Sequence, residues 1–193
     1  MTDSSLSSLI ALLASRSAKR GDFVLASGRR SSLYVDCRLT AMSPEGQLLI
    51  GRVGLAALRK TGWPIDSVGG LTLGADPLAY AIAHASALAT EQGSGPMVRA
   101  FTVRKEAKQH GTGKLIEGPF ATGDRVVIVE DVITTGGSAL RAAESVAAAG
   151  GTILGVLALV DRQEGGREAL EAAGHSVVAL VTAADLLEQM PAV

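Results

Sequence analysis

The 193-residue chain has one cysteine, almost no net charge and no long apolar run, and each shortage excludes something. A lone Cys37 cannot close an internal disulfide. That fits a reducing compartment and reads as a small buried or strand-edge residue rather than a nucleophile. A formal net charge of -1 gives the whole chain no pull toward nucleic acid or an anionic membrane. Any polyanion site must be a local basic patch. No apolar run approaches the ~18 residues that a membrane span requires. The N-terminal stretch MTDSSLSSLIALLASRSAKR carries Asp3 before its apolar run, with Arg16, Lys19 and Arg20 after it. That order is wrong for a secretion signal, so a cytoplasmic location is expected. Two phosphate-binding signatures are also missing. The single Gly-Lys pair, Gly113-Lys114, is followed by Leu115 rather than Ser or Thr, and no G-x-G-x-x-G opens a helix after a strand. There are no repeats and no low-complexity tail.

Apolar residues make up 47% of the chain and charged residues 19%, a globular balance. At this length one domain is the default. Five apolar runs read as strands: Ser67–Leu73, Met97–Val103, Arg125–Asp131, Ile153–Val160 and Ser176–Val181. Segments of helical length lie between them at Asp76–Glu91, Gly137–Ala149 and Gly165–Ala173, with Gly150-Gly151 as a stop signal. Strands apolar on both faces that alternate with helices predict an α/β fold with a mainly parallel, five-stranded sheet covered on both sides. Residues 1–64 differ. Two helices, Ser4–Ser17 and Pro44–Thr61, flank the turn-rich GDFVLASGRRSSLYVDCRLT, which reads as a small hood over one end of a 65–193 core. Residues 104–123 form a long, charged, Gly-containing segment without periodicity, and such loops are functional or disordered.

The stretch RVVIVEDVITTGGSAL, Arg125 to Leu140, carries the chemistry. A dry β-branched run ends in Glu130 and Asp131, then Thr134-Thr135-Gly136-Gly137 leads into a helix near Ser138. Ligands of open parallel sheets bind at the carboxyl ends of strands. Glycines let backbone N–H groups approach an anion, and the helix N-terminus adds positive potential. The loop is suited to a phosphate. The acids would repel one and suit hydroxyl groups or a metal, which together describe a phosphorylated sugar. The competing reading is a solubilised strand end followed by a generic turn. Arg104, Lys105, Lys108 and His110 fall within seven residues beside a single acid, Glu106. They form either a solvated basic face or a lid that stabilises a leaving anion. Arg162, after the next strand, offers a fork that matches a planar carboxylate; a surface ion pair with Glu164 or Asp161 is the other reading. His84, in mid-helix, and His175, in a turn, read as structural. No residue stands out as a direct metal ligand.

VVIVEDVITTGGSAL resembles the phosphoribosyl-pyrophosphate (PRPP) binding motif of the type I phosphoribosyltransferase family. GDFVLASGRRSSLYVD, RKEAKQHGTGKLIEG and Val160–Arg162 resemble the N-terminal signature, mobile loop and base-contacting strand end of its orotate-using branch. The resemblance covers nearly the whole chain in order. It implies the type I phosphoribosyltransferase fold and transfer of ribosyl phosphate from PRPP to orotate with Mg²⁺. It implies a homodimer whose mobile loop reaches across subunits. Lys105, Asp131 and Glu130 would be catalytic. PRPP would be held by Arg104, Lys105, Lys108, His110, Glu130, Asp131, Val132, Ile133, Thr134, Thr135, Gly136, Gly137 and Ser138, and orotate by Thr134 and Arg162. Two positions depart from the better-known members of the family, which carry lysines where this chain has Ala26 and Gly74. Arg29 or Arg30 could supply charge near the first, and Gly74 a backbone N–H at the second. A purine-type member lacks the SGRRSSLYVD signature and a reason for Arg162. A PRPP-sensing regulator carries an added nucleic-acid-binding element, and none is visible here.

Overall fold

The computed structural model describes residues 2–24, 30–106 and 114–191. In chain order the elements are α1 (Thr2–Arg16), β1 (Ala18–Val24), β2 (Arg30–Val35), α2 (Arg38–Ala41), α3 (Pro44–Lys60), β3 (Ser67–Leu71), α4 (Ala75–Glu91), β4 (Arg99–Val103), β5 (Ile116–Glu117), β6 (Arg125–Ile133), α5 (Gly137–Ala148), β7 (Thr152–Asp161), α6 (Gly166–Ala172), β8 (Val177–Thr182) and α7 (Ala183–Gln189). Local chemistry explains several boundaries. Ser43 accepts from the Gly46 amide at 3.1 Å with proline at the start of α3. Thr182 and Asp185 form a reciprocal capping box on α7. Gly150, with φ +86°, takes the left-handed turn that ends α5.

The main sheet runs β5-β4-β3-β6-β7-β8. All neighbours are parallel except the β4–β5 pair. The five strands expected from sequence are present, but β6 continues two residues past Asp131. The sixth strand lies inside the segment read as unpatterned loop. Ile116 and Glu117 pair antiparallel with Val103 and Thr102; two residues are too few to display a period of two. The expected hood contains a separate β1–β2 hairpin.

The sheet has an apolar layer on each face. Val127 and Val129 of β6 pack with Leu9, Leu13, Ile50, Leu78 and Ile82 of α1, α3 and α4. Val126 and Ile128 face Ala139, Ala142 and Val146 of α5, with Leu170 of α6. This alternation along one strand is why β6 reads as continuously apolar: neither face is wet.

Chain order also fixes where a ligand can bind. The chain passes from β3 to β4 on one side, then returns to place β6 on the other side of β3. The strand order therefore reverses between β3 and β6, and a crevice opens beyond their carboxyl ends.

At the opposite end of the sheet, Asp124 is buried and accepts from Arg99 Nη2 at 2.6 Å, Ser67 Oγ at 3.1 Å and the Ala121 amide at 3.1 Å. It joins the starts of β3, β4 and β6. Asp124→Ala should lower stability by about 2–4 kcal/mol in urea unfolding, because buried donors lose their acceptor. Ligand binding in the crevice at the far end of the sheet should be unchanged in the folded fraction.

Candidate active site

The crevice holds a cavity of about 340 Å³ lined by residues from the ends of three strands and their loops. β3 delivers Leu71 and the loop Thr72–Gly74, β6 delivers Glu130, Asp131, Val132 and Thr134, β7 delivers Arg162, and Ser138 comes from the first turn of α5. Tyr34 to Arg38 enter from the hood, and Lys105 from the loop after β4.

Glu130 and Asp131 sit together as the sequence suggested, partly buried. Burial, reinforced by the neighbouring Asp131 charge, pushes the Glu130 carboxyl up to about 8. Among the described residues its Oε2 is buried with no hydrogen-bond partner. Burial also raises Asp131, against the pull of the Val132 amide that donates to its Oδ1 at 3.0 Å. The Cys37 thiol, buried under this pair, is pushed up by desolvation and then by the charges of Asp131 and Asp36, and it donates to the Asp131 carbonyl at 3.6 Å. Cys37 is thus a packed thiol, not a thiolate nucleophile.

Gly74 stands against the Asp131 carboxylate, and a Cβ there would collide with its oxygens. In this chain a side chain at position 74 would have to displace the Asp131 carboxylate. Gly74 lines the cavity with backbone alone.

In the Thr-Thr-Gly-Gly loop, Gly136 adopts φ +80° and begins α5 with no side-chain cap. The first-turn amides of this helix are therefore left for a ligand. Val132, Thr134 and Ser138 line the cavity, while Ile133, Gly136, Thr135 and Gly137 are not among its lining residues. Ile133 is buried in the apolar layer over α5, so its side chain is structural and only its backbone borders the loop.

Of the basic segment, Lys105 lines the cavity. Arg104 does not: its amide donates to the Leu115 carbonyl at 2.8 Å and its side chain lies 3.7 Å from Glu117, at the root of the loop. Lys108 and His110 lie outside the described residues, as do Ala26 and Arg29. Arg30 pairs with exposed Asp22 at 2.8 Å and supplies no charge to the cavity. Arg162 is 7% exposed. Its ion pair with Glu164, at 2.7 Å, is buried rather than superficial, and Asp161 pairs with Arg167 instead, at 2.9 Å.

Sequence reasoning assigned no role to Asp36 and Arg38, which line the cavity as a two-pronged pair at 2.8 and 2.9 Å. The guanidinium holds the Asp36 carboxyl below its usual range. The readable signal was an acid and a base two apart, at the end of a predicted strand.

Residues 62–177 match the phosphoribosyl transferase domain family. The chain is 44% identical over 184 residues to an orotate phosphoribosyltransferase of Rhodopirellula baltica, covering 93% of each chain. It is 46% identical over 181 residues to one of Rhodopseudomonas palustris, with 92% of this chain and 93% of that one covered. The chain belongs to the orotate phosphoribosyltransferase family. The crystal structure of the Mycobacterium tuberculosis family member in complex with Fe(III) dicitrate superposes with a TM-score of 0.79 at 43% identity, covering 94% of this chain and 98% of that one. The same enzyme in complex with PRPP gives 0.74 at 37% identity over 95% and 92%. An adenine phosphoribosyltransferase of Leishmania donovani, at 18% identity and a TM-score of 0.62 over 97% of this chain and 84% of that one, shares the fold.

Family membership raises Mg²⁺. No group of three or more His, Cys, Asp or Glu that could cage a metal exists among the described residues. The oxygen donors present, Glu130 and Asp131 with an unpartnered Oε2, do fit an ion that takes one or two carboxylates and completes its shell with water and substrate phosphates.

The buried acid also makes stability depend on pH. Folded Glu130 keeps its proton to about pH 8, whereas the unfolded carboxyl loses it near 4.5. Between those values the folded state binds the extra proton, so stability is greatest at the acid end and falls as pH rises through the window, by up to a few kcal/mol. Asp131, also raised, adds a slope of the same sign. The ligand-free protein should therefore melt lower at about pH 8.5 than at about pH 6, and Glu130→Gln should flatten the slope and melt higher at the alkaline end. An undiminished slope in that variant would show that another group takes up the proton.

Proposed function

We propose that this protein transfers the 5-phosphoribosyl group of PRPP to orotate, releasing pyrophosphate and forming orotidine 5'-phosphate for pyrimidine nucleotide synthesis. The observation that carries this reading is the meeting, in one crevice, of an uncapped helix N-terminus after Thr-Thr-Gly-Gly, a half-buried acid pair and a buried arginine. The α5 amides with Thr134 and Ser138 bind the 5'-phosphate. Asp131 and Glu130 hold the ribose hydroxyls, Glu130 as a protonated carboxyl below about pH 8, and carboxylate charge at Asp131 favours the positive charge that develops on the ring as the C1–O bond breaks. Arg162, assisted by Thr134, takes the orotate carboxylate. Orotate arrives as an anion, so its ring nitrogen needs no strong base, and positioning supplies much of the acceleration. Lys105, joined by Arg104, Lys108 and His110 on closure, stabilises the departing pyrophosphate, and the Gly74 backbone faces the same group. Mg²⁺ held by the acid pair and the substrate would neutralise part of the diphosphate charge.

We place the protein in the cytoplasm and propose that it acts as a homodimer, with the β1–β2 hairpin as the hood over the crevice while α1 and α3 of the same 1–64 segment pack in the core layer of the sheet. Leu39, Met42, Leu48, Leu73, Tyr80 and Leu88 are 45–59% exposed on α2, α3, α4 and the loop beside the cavity. A surface this apolar suits a second copy. The loop between β4 and β5 then closes over the partner's cavity while the phosphate floor stays fixed on the sheet.

The deciding assay is PRPP-dependent loss of orotate absorbance, with adenine, hypoxanthine and uracil as controls; turnover of a control in place of orotate would overturn the reading. Arg162→Ala should lower kcat/KM for orotate by roughly 30-fold or more, the cost of about 2 kcal/mol upward for truncating a buried charged partner. The PRPP KM should stay nearly constant.

The cross-subunit loop has its own test. Lys105 lines its own chain's cavity, so the test uses Lys108, further along the loop: Lys108→Ala and Asp131→Asn homodimers should each be nearly inactive. Mixing them under subunit exchange should restore about a quarter of wild-type activity if loops act in trans, because half the random dimers hold one intact site. With exchange confirmed, no recovery would place each loop over its own cavity.

A further inference from the structure

We propose that Glu164 and Ser31 are positioning residues for orotate, acting through Arg162. The inference rests on the reading of the crevice as an orotate site and assigns part of its specificity to two side chains outside the cavity.

A guanidinium can grip a carboxylate with two N–H groups along either of two edges, and both edges include Nη2. In Arg162, Nη2 has two protons and three acceptors: Ser31 Oγ at 2.7 Å, the Leu33 carbonyl at 2.8 Å and Glu164 Oε1 at 2.7 Å. That nitrogen is fully used by the protein. Among the described residues Nε is buried with no partner, and no protein acceptor is paired with Nη1. The guanidinium is thus held by one corner, and its other two nitrogens have no protein partner among the described residues. On this proposal the protein holds one corner of the fork and the carboxylate takes what remains.

What holds the corner comes from two places. Glu164 follows β7 by three residues, and Ser31 belongs to β2 in the hood, where its hydroxyl also donates to the Leu33 carbonyl at 3.0 Å. Glu164 is not among the described residues that line the cavity, so it neutralises and orients Arg162 from behind without occupying the substrate's place. An arginine fixed before binding loses less side-chain freedom when the carboxylate arrives. Hood and core both contribute to that fixing, so the base site exists only when β2 is docked on β7.

The test measures orotate KM, PRPP KM, kcat and Tm for Glu164→Ala, Glu164→Gln and Ser31→Ala, with uracil as the substrate lacking the carboxylate. Glu164→Ala should raise the orotate KM roughly tenfold and shrink the preference for orotate over uracil, with the PRPP KM within about twofold of wild type. Glu164→Gln keeps the oxygen acceptor and should recover most of the loss; Ser31→Ala should raise the orotate KM about threefold. Should Glu164→Ala not fold, Glu164→Asp, which withdraws the oxygen by one methylene, should show the same selective rise at smaller size. An orotate KM that is unchanged or lower would overturn the proposal, as would a parallel rise for both substrates. A wild-type protein that turns over no orotate would instead sink the orotate reading itself, and this proposal with it.

Discussion

Two carboxylates buried at the carboxyl end of a doubly covered strand are the constraint around which the crevice is organised. β6 is dry on both faces up to Val129, and it carries Glu130 and Asp131 before it reaches the phosphate loop. Leaving charge there is costly, and the chain answers it in three ways. Glu130 retains a proton to about pH 8. Asp131 takes the Val132 amide and lies against a residue with no side chain, Gly74. Behind both, Cys37 presents a neutral thiol that donates to the Asp131 carbonyl. A ligand that brings hydroxyl groups or a cation relieves the same cost, so part of the binding energy is stored as unsatisfied burial.

Topology decides what surrounds that pair. The reversal of strand order between β3 and β6 separates their following loops, and the crevice is the gap between them. One wall is the loop from Thr72 to Gly74, and the other is the loop from Thr134 to Gly137. The third wall is not part of the sheet. It is the β1–β2 hairpin, attached to the end of β7 through Arg162. On the proposed reading, sugar phosphate and base fall to structurally different parts. The phosphate floor is backbone on a rigid core, whereas the base end depends on docking of a separate hairpin.

The division between what could and could not be read from the sequence follows from the same physics. β3, β4, β6, β7 and β8 announce themselves because strands buried on both faces are continuous apolar runs, and the Ala-rich helices between them end at glycines. The acid pair and its loop are contiguous in sequence, so their chemistry was legible. β5 was not, because two residues carry no period. That Arg104 sits at the root of the loop beside Glu117 was not legible, because a basic cluster reveals charge but not which member anchors the loop. The pairing of Arg162 with Ser31 and Leu33 spans about 130 residues of chain, and no local pattern encodes it. Asp36 with Arg38 was missed for another reason: a short-range ion pair is common on surfaces, and only the fold shows that this one borders the cavity.

On the proposed reading, the charges around the crevice explain why the loop after β4 would take part in catalysis. Among the described residues the cavity is lined by three acids, Asp36, Glu130 and Asp131, and three bases, Arg38, Lys105 and Arg162. The equality is misleading. Arg38 is bound edge-on by Asp36 and Arg162 is held by Glu164. Lys105 is the cavity base with no carboxylate paired to it among the described residues. A diphosphate developing negative charge finds little free positive charge on the rigid part of the site, beyond backbone amides that can bind a phosphate but cannot move. On the same reading, neutralisation of the leaving group would arrive from the segment that carries Lys105. Keeping that charge on a segment outside the sheet lets the crevice open to a highly charged substrate and then exclude water once it is bound, when each electrostatic contact becomes stronger. A permanently basic floor would instead hold pyrophosphate after the reaction as firmly as it stabilised its departure.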